Sequence, residues 1–126
     1  MSASLAYQDF TELEVWKAAR RLKLKVYEIQ HLFPKEEEYR LKDQLLRAVK
    51  SICANISEGH GRFTFKDQTH FCIQARGSLS ETLNHLIDAY DLHIINEDIL
   101  QSFKQEIDTV RKLQNAYIKY LRTKPT

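Results

Sequence analysis

Apolar residues recur along this chain at alternating steps of four and three, in separate stretches divided by turn-forming residues. In the first, Val15, Ala19, Leu22, Val26, Ile29 and Phe33 form a stripe down one helix face, widened by Trp16 and Tyr27. Thr11-Glu12-Leu13-Glu14 has the form of a capping box at its start, and Pro34 stops it. The second stretch opens on Glu36, Glu37 and Glu38, whose carboxylates suit the positive end of a helix dipole. Leu41, Leu45, Ala48, Ile52 and Ile56 then mark an inner face, and Gly59 and Gly61 predict a left-handed C-cap.

Thr64-Phe65-Lys66-Asp67 predicts a third helix start, ahead of Phe71, Cys72, Ala75, Leu79, Leu83, Leu86 and Tyr90 on one side. Asn96 caps the fourth helix, with Glu97 and Asp98 in its first turn. Its repeat is Leu100, Phe103, Ile107, Val110, Leu113 or Gln114, Tyr117 and Leu121. Met1 to Gln8 lacks periodicity and predicts a frayed end, and residues 123–126 a tail.

The pattern predicts helices over about residues 12–33, 36–58, 65–95 and 97–122, joined by short connections. Such elements make an all-α, antiparallel up-down-up-down four-helix bundle, with residues 1–126 as one domain. Composition agrees: three glycines and two prolines are too few for a turn-rich β protein. A chain that is 43% hydrophobic and 29% charged is not expected to be disordered. Cys53 and Cys72 sit in apolar patterns, and no leader or membrane-length apolar run stands out. The expectation is a cytoplasmic protein with reduced, buried thiols.

A net charge of +2 argues little, but its distribution argues more. Lys17, Arg20, Arg21, Lys23 and Lys25 crowd one stretch, whereas residues 77–103 hold Glu81, Asp88, Asp91, Glu97 and Asp98 and no lysine or arginine. Differently charged faces follow, fitted either to phosphates or to complementary protein surfaces. On the second helix Arg47, Ser51, Asn55 and Glu58 share a polar face. It reads equally as a hydrogen-bonded network, an anion site or a wet surface. Folding the hairpin about Arg62 sets Arg47 opposite Arg76 and Ala48 opposite Ala75. Gly77 costs roughly 1 kcal/mol against alanine in a helix interior, so it predicts either close packing within the monomer or a subunit contact.

Catalytic and metal chemistry find little footing. A di-iron bundle needs two Glu-x-x-His motifs, and only Glu28-Ile29-Gln30-His31 has that form. Glu81, His85 and Asp88 share a helix face, and Cys53, His60, His70 and Cys72 match no zinc-module spacing. No Gly-x-x-x-x-Gly-Lys loop is present, and the aromatic residues fall mostly in the apolar stripes, which disfavours base stacking.

Leu13-Glu14-Val15-Trp16, Phe33-Pro34, Leu45-Leu46-Arg47-Ala48, Ser51-Ile52, Asn55-Ile56-Ser57-Glu58-Gly59-His60-Gly61-Arg62 and Ala75-Arg76-Gly77-Ser78-Leu79-Ser80-Glu81 together carry a resemblance. From about Phe10 to Leu121 the chain resembles the small four-helix-bundle proteins encoded within intervening sequences of bacterial large-subunit ribosomal RNA genes. The matching positions are Arg47, Asn55, Glu58, Gly59, Arg62, Gly77, Ser78 and Glu81; Ser57 stands where that family more often has alanine. The resemblance implies a barrel-like homopentamer. It also implies distant kinship with the accessory protein of diversity-generating retroelements, which partners a reverse transcriptase and binds nucleic acid through a basic surface.

Residues and resemblance together give an expected non-enzymatic, oligomeric protein that associates with RNA or an RNA-handling partner. Lys17, Arg20, Arg21, Lys23, Lys25, Arg47 and Arg62 are the candidate nucleic-acid contacts. Asn55, Glu58, Gly59, Arg76, Gly77, Ser78 and Glu81 are the candidate interface. No catalytic residue, metal, cofactor, membrane or small-molecule substrate is expected. The alternative is a protein-interaction scaffold without a nucleic-acid partner.

Overall fold

Asp9 rather than Thr11 begins the first helical segment. Its carboxylate accepts hydrogen bonds from the backbone N–H and the hydroxyl of Thr11, and these bonds hold its pKa below the ordinary value. The expected capping box is therefore displaced: Phe10–Glu12 is a 3-10 turn, and helix α1 (Glu14–Glu28) starts from Leu13 without a side-chain cap. Phe10 packs edge-on against Trp16 at 5.1 Å and pins the entering chain. This computed structural model describes residues 9–125, and the predicted frayed end at Met1 to Gln8 lies outside them.

Helix boundaries shift where local chemistry competes with the apolar stripe. α1 stops at Glu28 instead of continuing to Phe33, and Gln30–Leu32 tightens into a 3-10 turn that still leaves Ile29 and Phe33 packed on the core. Glu36 and Glu37 lie in a further 3-10 turn, Lys35–Glu37, not in the next helix. Helix α2 (Leu41–His60) begins later, with the Glu37 carboxylate accepting the Leu41 N–H from outside. Helix α3 spans Phe65–Asp91 and α4 spans Glu97–Arg122. Thr64 and Asn96 accept the N–H groups of Asp67 and Ile99, as their side chains predict.

The expected left-handed glycine cap is absent. Gly59 lies inside α2, and Gly61 caps it at φ −80°. Among the described residues the only non-glycine with positive φ is His93, at 61°, just beyond α3. His93 N–H bonds to the Tyr90 carbonyl and Ile94 N–H to the Ala89 carbonyl, so the link is a Schellman turn with histidine where glycine is usual. That turn explains why α3 ends at Asp91 rather than near residue 95.

The described residues form an all-α four-helix bundle. Side-chain pairs link each helix to its neighbours: Ser51 meets Ser78, Arg76 meets Asn115, Arg21 meets Glu106, and Lys50 lies over the Tyr27 ring. Helix contacts run α1 to α2, α2 to α3, α3 to α4 and α4 back to α1. Leu22, Leu45, Ile52, Ile56, Leu79, Leu86, Phe103 and Ile107 fill the centre. No described helix is long and apolar enough to cross a membrane.

On α4 the choice between Leu113 and Gln114 falls to Gln114, which is fully buried while Leu113 is only partly so. Neither amide atom of Gln114 has a hydrogen-bond partner among the described residues. A buried, unpaired amide costs about 1–3 kcal/mol, and removing it together with its demand for partners relieves that cost. Gln114→Leu is therefore expected to raise unfolding free energy by about 1 kcal/mol in urea titration; a loss of stability would show that the amide is satisfied.

Candidate nucleic-acid interface

The basic run on α1 does not form one face, because residues three and four apart share a side and intervening ones do not. Lys17, Arg21 and Lys25 line the side toward α4. Lys17 pairs with Glu14 at 3.2 Å and Arg21 with Glu106 at 3.9 Å. Lys25 donates to the Ser102 hydroxyl and lies 4.7 Å from the centre of the Phe103 ring. Arg20 and Lys23 turn toward α2, close enough to Cys53 that their charges partly oppose the rise in its pKa caused by burial. Lys50 of α2 joins this side, 6.0 Å above the Tyr27 ring. Among the described residues Arg20, Lys23 and Lys50 have no carboxylate partner.

The other two candidate contacts are more committed. Arg47 is 79% exposed at its side chain yet pairs with Asp43 at 2.9 Å. Arg62 pairs with Glu58 at 3.5 Å and lies 4.6 Å from the centre of the Phe71 ring. Exposed ion pairs of this kind are worth at most about 1 kcal/mol, so both arginines keep most of their charge available.

The hairpin seam corrects the pairing read from sequence. Ser51 Oγ meets Ser78 Oγ at 2.9 Å, and an added Cβ on Gly59 would sit 2.7 Å from Phe71 Cβ. The turn therefore lies farther along the chain than Arg62, and Arg47 does not face Arg76. Arg76 instead reaches Asn115 of α4 at 3.1 Å. The polar face on α2 is in part a network: Asn55 donates to the Ser51 carbonyl at 2.9 Å and to its hydroxyl at 3.0 Å.

The seven candidate interface residues thus divide. Gly59 is buried in the seam, with Asn55 and Ser78 partly so. Glu58, Gly77 and Glu81 face outward, and Glu81 lies 3.4 Å from His85. Nothing lies within 4 Å of a Cβ built on Gly77, so intramolecular packing does not explain that glycine. No third metal-ligating side chain joins Glu81 and His85, and no group of three or more His, Cys, Asp or Glu converges among the described residues. Burial raises the Cys72 thiol to about 11, which keeps it protonated and poorly nucleophilic.

Among the described residues, three aromatic rings lie outside the buried stripes that hold most of the others. Phe63 is 103% exposed and Tyr39 90%, with Tyr120 at 52%, so not all rings belong to the stripes. Phe63 stands in the turn between α2 and α3, outside any periodic pattern.

The two glycines give opposite expectations. Gly59→Ala should destabilise by about 1–3 kcal/mol, because the Gln68 carbonyl at 3.2 Å as well as Phe71 must shift. Gly77→Ala should stabilise the isolated protomer by roughly 0.5–1 kcal/mol, since no atom of its own chain lies near and helix propensity improves. Chemical denaturation of both variants checks the pair; equal effects would refute the assignment.

Comparison with known proteins places this geometry in context. No curated protein matches the chain. A crystal structure of a protein of unknown function from the S23 ribosomal protein family of Bacteroides thetaiotaomicron is similar in fold, with a TM-score of 0.76. It is 21% identical, and the match covers 83% of this chain and 98% of that one. Residues 11–116 match the family described as 23S rRNA-intervening sequence protein. That span takes in α1, α2, α3 and most of α4, with both sides of the hairpin, and the chain belongs to the 23S rRNA-intervening sequence protein family.

Proposed function

We propose that the protein acts by binding, not catalysis, and associates with RNA through the cationic side shared by α1 and α2. The observation that carries this reading is Arg20, Lys23 and Lys50, drawn from two helices to one side and left without carboxylate partners. Phosphates are the complementary chemistry: each contact releases condensed counterions, whatever the base sequence. Arg47 and Arg62, each paired with a nearby carboxylate, are further candidate phosphate contacts. The family's description, which names ribosomal RNA intervening sequences, favours RNA over other polyanions.

Self-association belongs to the same proposal. Gly77 has no intramolecular reason to be glycine, and a second copy resting on that part of α3 supplies one. A homopentamer, which the sequence resemblance implies, repeats the three free cations around a ring and strengthens a modest patch. The second reading, a scaffold for protein partners alone, draws on the same Gly77 surface and the acidic residues beside it.

Titrating structured RNA into purified protein across a salt series separates the readings. Three phosphate contacts per protomer give a log–log slope of about −2 to −3. Arg20→Glu with Lys23→Glu should flatten it by about 2 units while light scattering still shows the oligomer. Undetectable binding at low salt overturns the RNA reading and leaves the scaffold, whereas RNA binding indifferent to the reversal overturns the α1–α2 side as its surface.

A further inference from the structure

A second surface lies at the end of the bundle where α3 begins and α4 finishes. An open groove of about 640 Å³ runs between them, within the size range of small-ligand sites. Phe65, Ile73 and Leu121 give it an apolar floor. Behind the floor Cys72 and Ile118 are buried and seal it from the interior. Lys66 stands on one bank and Arg122 and Lys124 on the other, with His70 among the lining residues. Asp67 is the one carboxylate on the groove, and none of these cations forms an ion pair with it or with any other described residue. Lys124 covers the half-exposed Tyr120 ring at 4.6 Å, and fully exposed Phe63 stands two residues before Phe65.

An apolar floor between cationic banks fits a ligand that is flat and apolar in the middle and anionic along its edge. We propose that this groove binds unpaired nucleotides of RNA, with a base against Phe65, Ile73 and Leu121 and the flanking phosphates held by Lys66, Arg122 and Lys124. A base in a duplex cannot enter, because its faces are already stacked. The groove thus selects single strands, loops or ends, where each base also contributes by stacking on an apolar or aromatic surface. The inference rests on RNA as the partner but concerns a different surface from the α1–α2 side, and the two can fail separately.

Fluorescence anisotropy with a labelled oligouridylate and with a labelled RNA duplex tests it. The Lys66→Glu/Arg122→Glu variant alters only exposed side chains, so folding is preserved and helical content can be checked by circular dichroism. The oligouridylate should bind the native protein and lose about tenfold or more in the variant, while duplex affinity changes less than about twofold. An abasic oligomer of equal charge should bind roughly tenfold more weakly than oligouridylate. Unchanged oligouridylate affinity in the variant overturns the site, as does the absence of oligouridylate binding whether or not the duplex binds. Equal binding of the abasic oligomer would reduce the groove to a phosphate surface. Equal binding of an oligoglutamate peptide would assign it to an acidic protein partner instead.

Discussion

The bundle depends on how closely α3 can lie against α2, and Gly59 sets that distance. Any side chain there would drive a Cβ to 2.7 Å from that of Phe71, well inside van der Waals contact. Absence of that atom lets the two helices approach near their connection, and the seam continues through Ser51 and Ser78. Cores transmit strain because they are packed at crystal-like density, so a wedge at Gly59 would be felt along the hairpin and at Phe71, the ring beneath Arg62. Glycine here serves packing rather than backbone freedom, since its helical conformation is open to any residue.

Electrostatics on this molecule is decided by helical angle more than by net charge. Cations adjacent in sequence are divided by α1 into a neutralised side and a free side. The neutralised side helps dock α4, through Arg21 to Glu106 and Lys25 over Phe103. The free side gains Lys50 from α2. One run of lysine and arginine thus does structural work toward one neighbour and leaves cations without carboxylate partners toward the other. The acidic stretch on α3 and early α4 shows the same economy, with Asn96 and its carboxylate neighbours starting α4 at the positive end of its dipole.

Much of the fold was legible from period alone, because Val15, Leu22, Leu45, Ile52, Leu79, Phe103 and Ile107 repeat at helical spacing and are all buried. What failed were places where a local bond beats the period. Asp9 outcompeted Thr11 as a cap, and Glu37 capped α2 from a preceding turn. His93 took a left-handed conformation that no sequence rule assigns to histidine with confidence equal to glycine's. Gly59 and Gly61 looked alike on paper, and only the third dimension shows that one meets Phe71 and the other caps a helix. For the candidate sites, the separation of Arg20 and Lys23 from Lys17 and Arg21 follows from helix geometry and was within reach. The groove was not: Lys66 and Arg122 are brought together solely by α3 and α4 packing end against end.

The two free cysteines lie in different seams. Cys53 sits on α2 beside α1, and Cys72 on α3 against Ile118 and Leu121 of α4. Burial pushes both thiols up, so neither reacts with an electrophile until its own pair of helices parts. Local openings of a fold differ in free energy from region to region. This chain therefore carries a separate chemical clock for each half of the bundle: the labelling rate of one thiol times the parting of α1 from α2, and that of the other times the parting of α3 from α4.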